Sequence, residues 1–240
     1  MKVSVVVPAF NEERLLAGSL ESIRAAMAAF DAAGWGSELI VCDNNSTDRT
    51  AEIARAAGAT VVFEPVNQIA RARNAGAARA SGDWLVFVDA DSYPSRELFV
   101  EAAEAIRRNC LAGGATLACD TRDPLVRFWL AFWNALSRAA HWAAGSFIFC
   151  EARTFRDAGG FSEELYAGEE IDLFRRLKRM ARERGRRIAI LHRHPLLTSD
   201  RKARLYAVRE HFVFLLKFLL LGRRALRSRD ACHVWYDGRR

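Results

Sequence analysis

The chain has 240 residues, 51% of them apolar and 27% charged, which suffices for one large or two small domains with a sizeable core and excludes a disordered chain. Its five cysteines (42, 110, 119, 150 and 232) form no C-x-x-C pair, which argues for a reducing compartment and against a disulfide framework or zinc knuckle. The net charge of +7 is uneven: residues 1–150 hold 14 Lys/Arg against 17 Asp/Glu, and residues 151–240 hold 22 against 12, so the second part is expected to face phosphates or an anionic membrane surface.

Nucleic acid is not an expected partner, because no nucleic-acid motif is present and the arginines are too scattered for one docking stripe. No uninterrupted apolar run reaches the roughly 18 residues of a spanning helix. The amino terminus runs straight into a strand and leaves no room for a leader, so a cytoplasmic protein is expected.

Val3–Val7 reads as a strand ended by Pro8. Leu16, Leu20, Ile23, Met27 and Phe30 then recur every three or four residues, which predicts an amphipathic helix capped near Asn11. Leu39–Cys42 is a second strand closed by Asp43, followed by the polar loop Asn44–Thr47 and a helix from about Asp48 to Ala57. Thr60–Phe63 is a third strand, and Gln68–Ala80 an Ala/Arg-rich helix. A fourth strand, from Leu85, stops abruptly in Asp89 and Asp91, two carboxylates one residue apart. Strands alternating with helices imply right-handed βαβ units, hence a doubly wound, mostly parallel sheet.

Acidic groups at the carboxyl end of a buried parallel strand sit where open α/β sheets bind ligands. Two carboxylates that close repel unless a cation joins them, and hard oxygen ligands point to Mg²⁺ or Mn²⁺ with substrate phosphates completing its shell; an acidic turn in solvent is the plain alternative. Neither G-x-G-x-x-G nor G-x-x-x-x-G-K-[ST] occurs, so the dinucleotide and P-loop routes to phosphate are excluded. Pro8/Asn11, Asp43 and Asp89/Asp91 instead put polar groups at three strand ends, as a binding crevice would, although each alone also serves as a cap or turn residue.

Further on, Leu125, Phe128, Trp129, Phe132, Trp133, Leu136 and Ala140 share one helical face, to be packed on the sheet or, alternatively, turned to an acceptor or lipid. Ser146–Cys150 is a strand, followed by a short helix and the turn Gly159-Gly160-Phe161. Gly168-Glu169-Glu170-Ile171-Asp172 opens a helix with Leu173, Leu177 and Met180 inward; acids in a first turn also serve as ordinary dipole stabilisers. Arg187–Leu191 is the last strand and leads into His192-Arg193-His194-Pro195. Leu205–Leu221 is helical in pattern and apolar almost all round over Phe212–Leu221, with four arginines following by Arg229; it is too short to span and fits either an interfacial anchor or a buried or dimer-forming helix.

The order of these segments resembles the inverting family-2 glycosyltransferases of the GT-A fold. The stretches that carry the likeness are Val5–Glu12, Val41–Asp48, Ala72–Gly76 with Ser81-Gly82-Asp83, Val88–Asp91, Gly159-Gly160-Phe161 and Gly168–Leu173. The resemblance implies one α/β domain over residues 1–200, with a nucleotide-binding half to about 95, an acceptor and catalytic half after it, and a helical extension over 201–240. It implies a nucleotide-sugar donor along Pro8, Ala9, Phe10 and Glu12, with Asp43 on the base, usually uracil. Arg73, Asp89 and Ala90 would hold the nucleotide, Asp89 and Asp91 the Mg²⁺ or Mn²⁺ that bridges the diphosphate, and Arg201 with Lys202 would reach that diphosphate. His192 or His194 would add a metal ligand after the last core strand, or be merely structural.

In the family the helix-opening pair is usually Glu-Asp, its Asp deprotonating the acceptor; here that place is held by Glu170, with Glu169 as second candidate and Asp172 structural. A glutamate there shifts the carboxylate by about 1 Å, enough to matter in catalysis. The acceptor would be a glycan, a lipid-linked or a small molecule, and the oligomeric state is open. Two other readings remain: a sugar nucleotidyltransferase, whose Gly-rich loop is missing because Pro8–Glu13 has no glycine, and a nucleotide-sugar-binding scaffold without activity.

Overall fold

The structure is a computed structural model describing residues 1–121, 123–143, 145–199, 226–228 and 232. The proposed anchor at 205–221 and Arg201 lie outside the described residues. Strand β1 (Lys2–Ala9) puts Val3, Val5 and Val7 into one core layer and Val6 into the other, the double burial that makes a central parallel strand apolar on both faces. Strands β2 (Gly36–Asp43) and β3 (Thr60–Phe63) add in parallel on one side of it, and β4 (Trp84–Val88) adds in parallel on the other. Three helices connect these strands: α1 (Leu16–Ala32), α2 (Thr50–Ala56) and α3 (Ile69–Arg79).

The second part of the chain extends the same sheet with mixed pairing. In chain order it supplies β5 (Ser92–Tyr93), α4 (Arg96–Arg107), β6 (Cys110–Cys119), α5 (Pro124–Ala140), β7 (Phe147–Glu151), α6 (Ala152–Asp157), α7 (Glu169–Glu183) and β8 (Arg187–Thr198). The eight strands run in the order β3-β2-β1-β4-β7-β6-β8-β5, with β7 antiparallel to both neighbours and β6 parallel to β8. One face is covered by α1, α2 and α4, where Phe30 and Phe99 meet at 5.2 Å; the other by α3, α6 and α7, where Phe87, Phe155 and Phe161 form a ring cluster.

Three elements, β5, α4 and β6, are absent from the sequence reading. Helix α4 does carry a signal: Ser95 caps it by accepting from the Leu98 amide, and Leu98, Ala102 and Ile106 follow at helical spacing. Strand β6 reads poorly because it contains Gly113-Gly114, and those glycines are there for room. A Cβ on Gly113 would stand 2.3 Å from the Phe149 ring, so the strand yields β-propensity to let β7's aromatic cross it. Met180, expected inward on α7, is only half-buried; Phe174 takes the buried place beside Leu173 and Leu177.

The largest departure is α5. Of the two readings of its aromatic stripe, packed on the sheet or turned to an acceptor or lipid, the first does not hold for Leu125, Phe128, Trp129, Phe132 and Leu136, which are all exposed. The reason is a contact with β6: Asn134, not the aromatics, makes the inward bonds, to the Leu117 backbone. Among the described residues no helix is long and apolar enough to cross a membrane.

Candidate active site

The carboxyl ends of β1, β2 and β4 lie side by side, with Ala9 opposite Asp43 across the β1–β2 ladder. Asn11 does not cap α1, which starts at Leu16 behind Leu15 with no side-chain cap. Instead it sits in the left-handed region (φ 52°), donates its amide to Ser46 Oγ at 3.0 Å and accepts from the Thr47 amide at 2.8 Å. A short amide tolerates that backbone, which is why an Asn can clamp the first loop to the second. Asp43 is buried and accepts the Ser46 amide at 3.0 Å in a turn of its own. Asn44 then ties this loop to Glu64, Val66 and the amide of Gln68 that opens α3. Glu12 is buried, its amide donated to Thr50 Oγ1 at 2.7 Å.

Arg73, on α3, is the most buried large side chain of the site at 1% exposure. Its guanidinium donates to Glu169 Oε1 at 2.7 Å, to Asp89 Oδ1 at 2.9 Å and to the Gly145 carbonyl at 3.0 Å, and it lies over the Phe161 ring at 5.2 Å. Burial alone would make it less basic, but the carboxylates of Asp89, Glu169 and Glu170 outweigh that and hold it above its ordinary range. The neighbouring Asn74 fixes Phe161 through both its backbone N–H and its carbonyl, so one helix turn locks the arginine and the ring it stacks on.

Asp89 and Asp91 flank a tight turn in which the Ser92 amide donates to the Asp89 carbonyl at 3.1 Å. Asp91 is buried and faces β8: Ser199 donates to it through its hydroxyl and its amide, both at 3.1 Å. Ala9 and Ala90 sit in the core beneath, and the Ala9 carbonyl accepts the Asn44 amide at 2.8 Å. Two carboxylates and a hydroxyl at a strand end suit a hard divalent cation whose remaining ligands come from phosphate and water. Among the described residues no three His, Cys, Asp or Glu side chains gather as a cage of their own.

His192 and His194 lie inside β8, not after it, and their amides donate to Glu101 on α4 at 3.3 Å. Thr198 is the residue that pairs with Ser92 beside Asp91, while His192 and His194 fall in the stretch between Leu191 and Leu196 where β8 bulges against β6. The ring of His194 stands 3.4 Å from the Glu101 carboxylate on α4. Accordingly, His192→Ala and His194→Ala should leave unchanged any Mn²⁺ dependence of donor binding, read as the donor-induced rise in melting temperature.

Gly168 enters α7 at φ 73°, a left-handed turn that a side chain would strain, and this turn aims Glu169 and Glu170 toward Arg73. Arg73, Asp89, Gly145, Ser146, Glu169 and Glu170 line one cavity of roughly 170 Å³. This is smaller than the ~300–1,000 Å³ of a pocket that encloses a whole drug-sized ligand, so it suits part of one. Glu169 is buried at 4% and occupied by Arg73. Glu170 is half-buried, enclosed by protein yet open to the cavity. Burial first and the Glu169 charge second push its carboxyl up to about 8, against the opposing pull of Arg73. Asp172 instead holds Arg175 and Arg176, the latter reaching the Gly160 carbonyl of the Gly-Gly-Phe turn at 2.8 Å.

Residues 4–153 match the family described as Glycosyl transferase family 2. The chain belongs to that family. An uncharacterized glycosyltransferase of Mycobacterium tuberculosis is 42% identical to this family 2 chain over 124 residues, 51% of this chain and 50% of that protein. The chain thus spans about half the length of that relative and of one from Mycobacterium bovis. Among solved structures, a mannosyltransferase from Pyrobaculum calidifontis in complex with GDP-Man and Mn²⁺ superposes with a TM-score of 0.67 at 21% identity, covering 97% of this chain and 68% of that one. TarS 1–349 of S. aureus in complex with UDP-GlcNAc gives 0.64 at 21% identity, covering 98% and 69%. These likenesses show the fold, which is GT-A-like. Within this family 2 chain, the contributions of Gly145, Ser146 and Ser199 escaped the sequence reading, because two of them act through backbone atoms.

Proposed function

We propose that this family 2 member is a metal-dependent inverting glycosyltransferase that moves a sugar from a nucleotide-diphosphate donor to an acceptor hydroxyl. What carries the reading is the cavity in which Glu170, an acid group open to the pocket, stands beside the Arg73 bridge to Asp89. Residues 1–95 take the donor: the ends of β1 and β2 lie along base and ribose, with Asp43 favouring uracil and hence a UDP-sugar. Residues 96–200 take the acceptor and supply the base; the helical extension expected over 201–240 lies almost wholly outside the described residues. Arg201, outside the described residues, belongs to the diphosphate.

Asp91, with Asp89 beside it, holds Mg²⁺ or Mn²⁺. When bound, such a cation supplies Lewis-acid stabilisation of the negative charge on the departing diphosphate. Arg73 orients Asp89, and Glu170 accepts the proton of the acceptor hydroxyl as its oxygen attacks the anomeric carbon. The new C–O bond forms as the bond to the diphosphate oxygen breaks on the opposite side, so one displacement inverts the anomeric centre. A hydrolase would need two carboxyl groups flanking the bond, whereas here Glu169 is spent on Arg73. A poly(ribitol-phosphate) β-N-acetylglucosaminyltransferase 31% identical over 113 residues supports a cell-envelope or lipid-linked acceptor, met at the cytoplasmic side of the membrane.

The test is a thermal-shift screen of UDP- and GDP-sugars with and without Mn²⁺. Free donor at about 100 times its Kd stabilises the native state by about 2.7 kcal/mol, a shift of several degrees. The expected result is a rise with a UDP-sugar that requires the metal; no rise with any nucleotide sugar would overturn the proposal.

A further inference from the structure

Helix α5 is built inside out. A helix lying on a globular protein normally buries its apolar stripe and shows water its polar face. Here a polar residue docks it: Asn134 accepts from the Leu117 amide at 2.9 Å and donates to the Leu117 carbonyl at 2.8 Å, while buried Ser137 closes the helix's own carboxyl end by donating to the Trp142 carbonyl at 2.5 Å. Val126, Leu130 and Trp133 are half-buried, but the aromatic stripe points away. Phe128, Trp129 and Phe132 are 52–63% exposed and stack edge to face on one another at 5.7 and 5.8 Å, a continuous patch with Leu125 and Leu136 extending it.

Charge says what covers the patch. Residues 124–143 contain Arg127 and Arg138 and no Asp or Glu. Beyond the helix's carboxyl end, Lys178, Arg182 and Arg187 border a cavity with Ala139 and Ala140. We propose that α5 is the contact through which this protein seats on an anionic lipid bilayer, its aromatic face in the headgroup–acyl boundary and its basic collar on the phosphates. Tryptophan is at home at that depth, where one edge of the ring is wet and the other apolar. The apolar run at 212–221, with Arg223, Arg224 and Arg227 behind it, offers the same sign again.

The fold ties this surface to the cavity at both ends of the helix. Before it, Cys119 at the end of β6 pairs with Thr198, next to the Ser199 that holds Asp91. After it, Gly145 accepts from Arg73 and Ser146 from the Asp89 amide. Seating α5 therefore brings the cavity to the membrane surface, where an acceptor embedded in the bilayer presents its head group. The inference concerns where the protein sits, and its test needs neither donor nor turnover.

The full chain is co-sedimented with vesicles of phosphatidylcholine alone and of 3:1 phosphatidylcholine–phosphatidylglycerol. Wild type should pellet with the anionic vesicles, the double variant Trp129→Glu/Phe132→Glu should partition at least tenfold less, and Arg127→Glu/Arg138→Glu should lose the preference for anionic lipid. Because all four side chains are exposed, melting temperatures should hold. Should a variant fail to fold, brominated lipid added to wild type and to Trp129→Phe decides: quenching of tryptophan emission must be present in the first and markedly smaller in the second. Unchanged pelleting of the aromatic variant would place the contact elsewhere, in residues 205–221 for instance. Wild type that ignores anionic vesicles, or a dimer that the same substitutions dissociate, would overturn the proposal.

Discussion

Glu170→Gln should lower kcat by about 10²–10⁴-fold, the usual worth of a positioned general base. It should also leave the donor-induced rise in melting temperature in place. Glutamine keeps the shape of the side chain and removes only its capacity to take a proton, so a fall in turnover with donor binding intact isolates that step. The pH dependence sharpens the expectation. With its carboxyl pushed up to about 8 by burial and by Glu169, Glu170 is mostly protonated at neutral pH in the free protein. As kcat/KM reports the free enzyme, it should climb with pH through that region in wild type and lose the limb in Glu170→Gln.

Glu169→Gln, which removes the neighbouring charge but can still accept from Arg73, should move the limb to lower pH. Stability runs the other way. An acid whose folded pKa lies above its ordinary 4.5 favours folding below that value, and the contribution is lost as pH rises toward 8. Glu170→Gln should therefore gain on wild type in urea unfolding as pH rises from 5 to 9. Wild-type turnover in Glu170→Gln would remove Glu170 from the mechanism.

Arg73→Met should be the most destabilising substitution in the site. Arg73 is buried and binds two carboxylates, Glu169 at 2.7 Å and Asp89 at 2.9 Å. Removing one partner of a buried ion pair typically costs about 3–5 kcal/mol, because the charge left behind has lost both water and counter-ion. For a chain of this size that is a fall of roughly 6–20 °C in melting temperature. Glu169→Gln in the same chain should recover part of the loss, since one stranded charge disappears with it, and the double-mutant cycle measures the coupling directly. Lysine should not rescue, for it cannot reach both carboxylates and the Gly145 carbonyl as a planar fork does. A loss below about 1 kcal/mol in chemical denaturation would mean that the carboxylates find water once the arginine is gone, and the bridge would then not be what organises the cavity.

Where sequence and structure agree, the agreement follows from local chemistry. Strand β3 and helices α2 and α3 stand within two residues of their predicted ends, because β-branched runs, Ala-rich turns and the extended Gln68 leave little choice of conformation. Where they part, the deciding partner is remote. Strand β6 is written in Gly and Ala to admit Phe149 from its neighbour, so nothing in its own composition marks a strand. Periodicity placed the aromatics of α5 on one face but was silent on which way that face turns, which Asn134 settles by bonding to β6. The last strand was expected to end at Leu191, before the histidines, and it runs on to Thr198 because its second half pairs with β5 and with the end of β6.

By itself the sequence determined the family, the parallel half of the sheet and the acidic residues that close its strands, since these follow from residue types a few positions apart. Only the tertiary structure decided which acid is available for chemistry. Arg73 and Glu169 are 96 residues apart in the chain, yet their contact ties up Glu169 and leaves Glu170 facing the cavity. Pairing of that kind, and the loss of water that raises Glu170, come from packing, which no stretch of sequence specifies alone.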